Sequence, residues 1–405
     1  MTATFAARRR LTASLAARLT ELRASALWSP AAWEARARRP PPDADHAGHI
    51  RAALDWLCRA QDAAGGAGIS RGYGLTWDPT LRRAGWQPPD PEATACSIPT
   101  LFHAADRFDR AELVERALRA AHWRLDVRSR SGGLPRGGAA PPIAALDAGP
   151  AILGWLAAWD HAADVRSAEA ALAAGRGLAA ALARDAGAAG AGATPRAALA
   201  AWALAEAGVR LGEAEFRETA RACLRSVAAR QRENGWIPGC APQGPEPPDL
   251  AALADAVRGL LEGGRVLAEP ALLACAMRTA RALAAAVRDD GRMPGRLDPA
   301  WRAAARWSCL PGQARIADAW LRLLELTGDA SWIEPSGRVV RFLKATQHRA
   351  SRDPGLRGGI LGASPAGAGH AGYQVLAGAT RSFVDTLIRH RDARLGATRP
   401  VPVLA

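Results

Sequence analysis

The sequence predicts an all-α protein built as a ring of helical hairpins, and two observations support this prediction. Segments of helical composition alternate with stretches rich in glycine and proline, and no series of strand-like segments interrupts them. A glycine-containing turn signal also recurs six times at spacings of roughly 50 to 70 residues, which indicates a repeat architecture. The six copies are Gln61 to Gly66, Gly132 to Pro135, Asp185 to Gly187, Gln231 to Gly239, Asp290 to Gly295 and Gly358 to Gly362.

Paired helices are predicted between these signals. The pairs are expected at 91–107 with 110–127, 148–161 with 164–184, 195–208 with 213–231, 250–264 with 268–288, and 310–326 with 330–347. Two single helices remain, at about 49–61 and about 371–389. When these two pair, the ends of the chain meet and six hairpins close into an (α/α)6 toroid.

The two helices of each pair differ in composition, which predicts an inner and an outer ring. First members such as 151–159 are apolar on nearly every side, as a helix covered by neighbours must be, whereas second members such as 110–127 carry charge on one face. Turns inside a hairpin are short, and the long connections precede the inner helices. Long loops are usually functional, and helix N-termini favour anions, so we expect a funnel there that binds a negatively charged ligand.

The predicted toroid spans residues 46–391. Residues 1–45 form a basic extension with one helix and a Pro-rich linker at Arg38 to Pro42, expected to pack on the outside of the ring, and 392–405 form a tail. No apolar run is long enough to span a membrane, and the N-terminus lacks the apolar core of a secretory signal. The six cysteines are scattered without Cys-x-x-Cys pairs, which is typical of reduced, buried thiols. The sequence therefore predicts a cytoplasmic protein.

A net charge of +14 and a pI near 11.0 raise the question of nucleic-acid binding. However, Lys344 is the single lysine among the 53 basic residues, and the richness in Arg, Ala, Gly and Pro is what a GC-rich genome would impose. The basic residues are spread along the chain, and two tyrosines offer little base stacking. The sequence therefore argues against a nucleic-acid partner, whereas an acidic small molecule or a polyanionic glycan fits the charge.

Two carboxylates lie where the first two inner helices begin. Glu92 follows Asp90 and Pro91 at the start of the first, and Asp147 precedes the second. Carboxylates on adjacent helix starts suit glycosidic chemistry, in which an acid and a base flank the bond. Both residues also suit a helix start electrostatically, so simple capping is an equal alternative for each.

Aromatic and histidine side chains are concentrated in the loops expected around the funnel. Tyr73, Trp77 and Trp86 belong to the first long loop, and His370 and Tyr373 open the sixth inner helix, which becomes its neighbour when the ring closes. Exposed aromatics commonly stack on sugar faces, and a His/Tyr pair near a carboxylate could abstract a proton beside a uronate carboxyl. Packing within the loops is the alternative.

The order and spacing of these motifs resemble the helical toroid proteins of bacterial exopolysaccharide clusters, the polysaccharide-biosynthesis proteins of the VpsJ type. These belong to the wider six-hairpin glycosidase-like and terpenoid-cyclase-like toroid group. The resemblance covers about residues 50 to 388. The matching positions are Pro91, Glu92, Thr94, Ile98, Pro99, Asp147, Gly149, Arg306, Trp307, Ser308, Cys309, Leu310, Gly312 and Ala314, with Gln313 in place of Asn.

The sequence departs from the family pattern at several polar positions. Asp90, Ala93, Ala95, Cys96 and Ser97 differ in the first motif, and Ala148 and Pro150 differ in the second. The fourth inner helix has apolar residues around 251–252 where family members tend to carry a His-Thr pair.

The resemblance implies a protein of polysaccharide biosynthesis or processing that acts on an anionic saccharide by glycosidase-, lyase- or epimerase-type chemistry, alongside other polysaccharide-assembly proteins. Glu92 would be the acid/base, Asp147 a second carboxylate and Arg306 an anion clamp. The residues expected to contact the sugar are Tyr73, Trp77, Trp86, Thr94, Trp307 and Gln313. No cofactor or metal is expected. Two alternatives remain open: a glycan-binding or scaffolding toroid without turnover, and a terpenoid-cyclase-like toroid, whose acid and metal motifs are missing.

Overall fold

The computed structural model describes residues 29–36, 44–78, 81–130, 146–187, 195–240, 247–369 and 371–396. Its helices are α1 (Pro30–Arg36), α2 (His46–Ala63), α3 (Pro91–Phe108), α4 (Glu112–Arg130), α5 (Ala148–Ala162), α6 (Val165–Gly187), α7 (Pro195–Arg210), α8 (Ala214–Ala229), α9 (Leu250–Val266), α10 (Pro270–Ala285), α11 (Leu310–Thr327), α12 (Ile333–Thr346) and α13 (Ala377–Arg394). Its strands are β1 (Gly72–Asp78), β2 (Arg83–Trp86), β3 (Ser308–Cys309), β4 (Ala363–Ser364) and β5 (Gln374–Leu376).

The helices form two concentric rings. The inner ring consists of α3, α5, α7, α9, α11 and α13, each in contact with the next, and α13 contacts α3 again. The outer ring consists of α4, α6, α8, α10, α12 and α2, and α2 pairs with α13 although they lie near opposite ends of the chain. The predicted (α/α)6 toroid of six hairpins is therefore confirmed, including the closure of the ring by the first and last hairpin helices.

The expectation of a chain without strands was wrong. Strands β2, β1 and β5 form an antiparallel sheet in which Tyr73 lies opposite Val375, and β3 pairs with β4. The sixth inner helix consequently begins at Ala377 rather than near 371, because β5 occupies the residues before it. This sheet joins the first and last long loops, which the sequence predicted to be neighbours.

The recurring turn signal has the same structural role in three repeats. Gly235, Gly291 and Gly358 adopt left-handed φ angles of 83°, 80° and 87°. A Cβ at these positions would lie 2.2 to 3.0 Å from a carbonyl oxygen of the next outer helix, so only glycine fits both the φ angle and the space. Gln231 reinforces one of these turns by donating from Nε2 to the carbonyl of Cys275 at 2.8 Å. Each turn therefore fixes one hairpin against the next.

Glycines also allow the inner helices to approach one another closely. A Cβ on Gly259 of α9 would lie 2.4 Å from the backbone of Ala198 in α7, and one on Gly154 of α5 would lie 2.8 Å from the carbonyl oxygen of Ala95 in α3. These contacts set the width of the space that the inner ring encloses.

The short helix α1 packs against the loops that precede the inner helices. Ala31, Ala32 and Ala35 are buried in the core, and Ser351 donates to Glu34 Oε2 at 2.8 Å. The remainder of the basic extension, up to residue 43, and the tail beyond residue 396 lie outside the described residues. Among the described helices, none is both long and apolar enough to cross a membrane.

Candidate functional site

The inner ring encloses a central cavity of about 300 Å³, and all six inner helices contribute to its wall. The end at which the inner helices begin is called the mouth, and the end at which they finish is called the base. The lining side chains are Glu92, Ala95, Cys96, Pro99, Thr100, His103, Pro150, Leu153, Ala157, Leu199, Trp202, Glu206, Arg210, Asp255, Arg258, Arg315, Arg381, Asp385 and Arg389.

Glu92 lies at the mouth and is not the residue that caps its helix. Asp90 is the N-cap of α3, and its Oδ1 accepts from the backbone N–H of Ala93 at 2.7 Å. Pro91 occupies the first helical turn, where its missing N–H is harmless. The Glu92 carboxyl lines the cavity and has no hydrogen-bond or ion-pair partner within the described part of the chain.

The surroundings of Glu92 favour its protonated form. Its surface is open to the water of the cavity, but protein walls surround it, and the resulting desolvation raises the pKa of its carboxyl. The charge of Arg315 opposes this rise, whereas Asp255, Asp90 and Asp147 reinforce it. A carboxylic acid whose pKa is raised is better suited to donate a proton than an ordinary glutamate.

Asp255 and Arg315 form an ion pair in the same part of the cavity. Asp255 Oδ2 lies 2.5 Å from Arg315 Nη1, and about a quarter of each side chain is exposed (25% and 21%). Asp255 is the main cause of the raised pKa of Arg315. Asp255 belongs to α9, whose residues around 251–252 are apolar as the sequence indicated, and it supplies a carboxylate one turn further along that helix.

A second cluster joins the first and last inner helices. Arg381 Nη1 donates to Asp385 Oδ2 at 2.6 Å, and the Thr100 hydroxyl donates to Asp385 Oδ1 at 2.7 Å. The residue Arg381 is only 9% exposed, and its buried Nε–H has no partner among the described residues. This cluster holds α13 against α3 while keeping a guanidinium in the cavity wall.

A chain of alternating charges closes the base. It runs through α7, α9, α11 and α13 with N···O distances of 2.6 to 3.2 Å, in the order Glu206, Arg265, Glu262, Arg322, Glu325, Arg389, Asp318 and Arg258. Burial alone would raise the pKa of Glu262, but Arg322 and Arg265 hold it at about 2. Every carboxylate of this chain of charges is therefore paired with arginine.

One tryptophan lies in the wall of the cavity. The Trp202 ring has the Arg258 guanidinium carbon 5.4 Å from its centroid, and its Nε1–H donates to Glu206 at 3.2 Å. Deeper along α3, burial lowers the pKa of His103 and favours its neutral form. Among the described residues, no cluster of three or more His, Cys, Asp or Glu side chains could hold a metal ion.

Most of the other site residues predicted from the sequence lie outside the cavity wall. Tyr73 and Trp86 pack together with ring centroids 5.1 Å apart, and Trp86 also contacts the buried Trp56 at 5.3 Å. Trp77 is half-buried in β1. Tyr73 and Trp86 therefore pack between the first long loop and α2, and the alternative of loop packing describes their ring contacts.

Thr94 and Gln313 are fully buried; the Thr94 hydroxyl and Gln313 Nε2 bond to backbone, and Gln313 Oε1 has no partner among the described residues. The Thr94 hydroxyl donates to the carbonyl of Asp90 at 2.7 Å and accepts from Ile69 N–H at 2.9 Å. Gln313 Nε2 donates to the carbonyl of Gly291 at 2.8 Å. Both side chains therefore stabilise the loops near the cavity and do not line the cavity itself.

The remaining predicted residues occupy the loops near the mouth. Arg306 is exposed, and the Trp307 ring lies against Gly295 and Gly369. The Tyr373 hydroxyl accepts a hydrogen bond from Arg36 of α1, whose guanidinium carbon lies 4.9 Å from the ring centroid.

Asp147 and His370 are the last two site residues predicted from the sequence. Asp147 is exposed at the start of α5 and makes no capping hydrogen bond from its side chain. His370 lies outside the described residues.

The cavity residues missed by the sequence reasoning share one signal. Asp255 and Arg315 are the first charged residues of α9 and α11, each preceded in its helix by uncharged residues, and Arg381, Asp385 and Arg389 are spaced four residues apart. A helix buried on all sides can place such charges only against a partner or an internal cavity. The four-residue spacing puts the three charges of α13 on one face.

No protein-family model matches the sequence, and no curated protein matches it significantly. Solved structures do match the fold. The glycosaminoglycan-degrading unsaturated glucuronyl hydrolase of Bacillus sp. GL1 superposes with a TM-score of 0.63 at 17% identity, covering 87% of this chain and 98% of that one.

Two further matches are similar. An unsaturated glucuronyl hydrolase specific for heparin gives a TM-score of 0.66 at 14% identity, covering 86% of this chain and 97% of that one. A variant of the Streptococcus agalactiae enzyme complexed with dGlcA-GalNAc6S gives 0.63 at 13%, covering 88% and 94%. At these identities the likeness establishes the fold alone, an (α/α)6 toroid.

Proposed function

We propose that this protein is a carbohydrate-active enzyme that processes an anionic saccharide in its central cavity, with Glu92 as the catalytic acid. The observation that supports the proposal is the unpaired Glu92 carboxyl at the mouth of the central cavity, where desolvation raises its pKa. Enzymes that protonate a glycosidic oxygen need such a group, because an ordinary glutamate is already ionised at neutral pH.

The charge of the lining favours a negatively charged ligand. Five arginines and four carboxyl groups line the cavity, so the arginines outnumber the acidic side chains. Trp202 supplies an apolar ring surface of the kind that stacks on sugars. The similar solved structures are named for unsaturated glucuronyl substrates, which are anionic saccharides. Together these features support a uronate-bearing substrate.

The loop residues predicted from the sequence receive secondary roles in this proposal. Asp147 supplies negative charge beside Glu92, and Arg306 and Trp307 contact the parts of a longer saccharide that project from the mouth. The pairing of Tyr373 with Arg36 gives it an electrostatic role at the loops instead of a catalytic one. In the wall of the cavity, Arg315 and Arg381 replace Arg306 as the arginines nearest to a bound anion.

The biological setting follows from the resemblance to proteins of exopolysaccharide clusters. We propose that the protein acts in the cytoplasm in the assembly or trimming of a polysaccharide, together with other assembly proteins. A toroid that binds a glycan without turnover is the second candidate, and it is favoured by the departures from the family pattern around Glu92, such as Cys96 and Ser97.

A saccharide panel combined with one substitution tests the proposal. The purified chain is incubated with unsaturated glucuronyl disaccharides, saturated uronate oligosaccharides and neutral oligosaccharides, and the products are identified by mass spectrometry. We expect turnover of a uronate-bearing member and a loss of roughly 100-fold or more in Glu92→Gln, the usual contribution of a general acid. Glu215→Gln, at an exposed glutamate on the outer helix α8, is the matched control and should keep full activity.

The outcomes separate the candidates. Full activity in Glu92→Gln removes Glu92 from catalysis. Saturable binding of uronates without products supports the binding toroid. Neither binding nor turnover with any uronate contradicts the anionic-saccharide proposal as a whole.

A further inference from the structure

Asp255 faces Glu92 across the cavity. The inner ring has the order α3, α5, α7, α9, α11 and α13, so α3 and α9 are the first and fourth of six helices and lie on opposite sides. Glu92 is the second residue of α3, and Asp255 is the sixth residue of α9. At 1.5 Å of rise per residue, Asp255 lies roughly 6 Å further towards the base. A ligand that enters from the mouth therefore passes between the two carboxyl groups.

The width of the ring suits a sugar between them. Neighbouring packed helices lie about 8–10 Å apart, which puts the axes of opposite helices in a six-membered ring at roughly 16–20 Å. After the radius of each helix and the two side chains are subtracted, the remaining gap is about as wide as a sugar ring. The charge of Asp255 reinforces the raised pKa of Glu92, which is consistent with this proximity.

The two carboxyl groups have opposite surroundings. Glu92 has no ion-pair partner among the described residues, whereas Asp255 is 2.5 Å from Arg315 on the adjacent helix α11. A carboxyl whose pKa is raised by desolvation and a second carboxyl bonded to an arginine provide the acid and base pair that many glycosidases use. Both groups line the same cavity.

Asp147, the partner expected from the sequence, is placed differently. It is exposed at the start of α5, the helix directly beside α3, and it is not part of the cavity wall. A carboxyl next to the acid approaches the sugar from the same side, whereas a glycosidic bond is cleaved between groups on opposite sides.

We propose that Asp255 is the second catalytic carboxylate of this site. This inference rests on the proposed function and names the base that works with Glu92. Glu92 donates its proton to the glycosidic oxygen as the bond between that oxygen and the anomeric carbon breaks. The Asp255 carboxylate accepts a proton from a water molecule whose oxygen bonds to the same carbon. The sum of the step is the addition of one water molecule, and the proton on Asp255 returns to Glu92 through solvent.

Arg315 is a positioning residue in this arrangement. Its bond to Asp255 Oδ2 holds that carboxylate in place and leaves the other oxygen, Oδ1, for the water. The pair also explains how a buried helix such as α9 retains an acidic residue in its first two turns.

The test compares Asp255→Asn with Asp147→Asn on the panel substrate that the unsubstituted protein turns over fastest. We expect Asp255→Asn to lower kcat by roughly 100-fold or more with KM nearly unchanged, and Asp147→Asn to lower it by less than about 10-fold. The acidic limb of the pH–rate profile, which reports ionisation of the base, should disappear in Asp255→Asn and persist in Asp147→Asn. Melting temperatures are measured for every variant.

Two additional variants keep the test decisive if Asp255→Asn folds poorly. Asp255→Glu preserves the ion pair with Arg315 and should fold, retain the acidic limb and lose part of its kcat. Asp255→Ala should regain turnover when sodium azide or formate is added, because a small anion can replace the missing carboxylate.

The results that overturn the inference are specific. They are an Asp255→Asn enzyme with near-normal kcat, a loss confined to KM without rescue by small anions, or a loss in Asp147→Asn as large as that in Asp255→Asn. In each of these cases the unsubstituted protein is active, so the proposed function stands. Absence of turnover in the unsubstituted protein itself overturns both proposals.

Discussion

The mouth and the base of the cavity are built from the same six helices, yet their carboxyl groups have opposite surroundings. At the mouth, Glu92 has no ion-pair partner among the described residues and its pKa is raised. At the base, every carboxylate of the charged chain is bonded to arginine, and the pKa of Glu262 is held at about 2. The mouth keeps a group ready to exchange a proton, whereas the base keeps its charges fixed.

The direction of the inner helices explains part of this difference. All six begin at the mouth, where the positive ends of their dipoles favour acidic side chains such as Asp90 and Asp147, and all six end at the base, where the negative ends favour arginines such as Arg265 and Arg389. At Glu92 the dipole of α3 favours ionisation, and the desolvation by the cavity walls outweighs it. The separation of reactivity from stability therefore follows from helix polarity and from burial.

The largest effect is expected from breaking the charged chain of the base. Glu262→Gln leaves Arg322 and Arg265 without their shared carboxylate in a side chain only 6% exposed, and removing one partner of a buried ion pair destabilises a protein by about 3–5 kcal/mol. Urea denaturation measures this change. The control is Glu115→Gln, whose exposed pair with Arg119 has a similar distance of 2.8 Å and should contribute less than about 1 kcal/mol. Equal losses in both variants would contradict the role assigned to the base.

Lowering the pH is expected to reduce the stability of the fold by a somewhat smaller amount, in two separate pH ranges. His390, at the base end of α13, has its pKa lowered to about 4 by burial and by His46, whose Nε2 lies 2.8 Å from its Nδ1. Because the fold prefers the neutral ring, its stability is complete above the unfolded pKa of 6.5 and falls as pH drops through 4. A shift of this size corresponds to about 3 kcal/mol. Glu262, whose folded pKa is also lowered, contributes stability that is complete above 4.5 and lost as pH falls through about 2.

Melting temperature measured against pH distinguishes these two groups. The variant His390→Gln should flatten the curve of the upper range, between 6.5 and 4, and leave the lower range unchanged. A variant curve parallel to that of the unsubstituted protein throughout the upper range would show that His390 does not titrate as described.

The smallest effect is expected at the mouth, and it has the opposite sign. Because the folded pKa of Glu92 is raised, stability is complete below the unfolded value of 4.5 and decreases as pH rises through the folded value. Glu92→Gln should therefore raise the melting temperature at about pH 8 and leave it unchanged at about pH 4. The gain in the free energy of unfolding at pH 8 should be less than about 1 kcal/mol, because water reaches the side chain. A variant less stable than the unsubstituted protein at pH 8 would contradict the assignment. Such a gain in stability with loss of activity is typical of catalytic groups.

The helices could be predicted from the sequence because their signals are local. Apolar composition and glycine turns gave boundaries within a few residues, for example 91–107 against the observed Pro91–Phe108. The strands could not be predicted, because β5 has three residues and its partner β1 lies near the other end of the chain. A pairing of this kind has no local periodicity to reveal it.

The site could be predicted only where position along a helix was informative. Glu92 was identified because it begins an inner helix, and the structure places it in the cavity wall. Asp255 and Arg315 were missed because a charged residue on a helix is usually solvent-exposed, and only the closed ring shows that these two face inward. Tyr73 and Trp86 were expected to contact sugar because exposed loop aromatics often do, but their ring contacts are with one another.

The contacts that close the ring, between segments near the two ends of the chain, have a consequence for how the protein folds. Gln347 Nε2 donates to the carbonyl of His49, 298 residues away in the chain, and β1 pairs with β5 across a similar separation. Contacts this distant in sequence form slowly, and during synthesis α2 must wait until α13 has left the ribosome. An incomplete ring exposes the apolar flank of α2, including Leu54 and Leu57, as a surface to which molecular chaperones can bind.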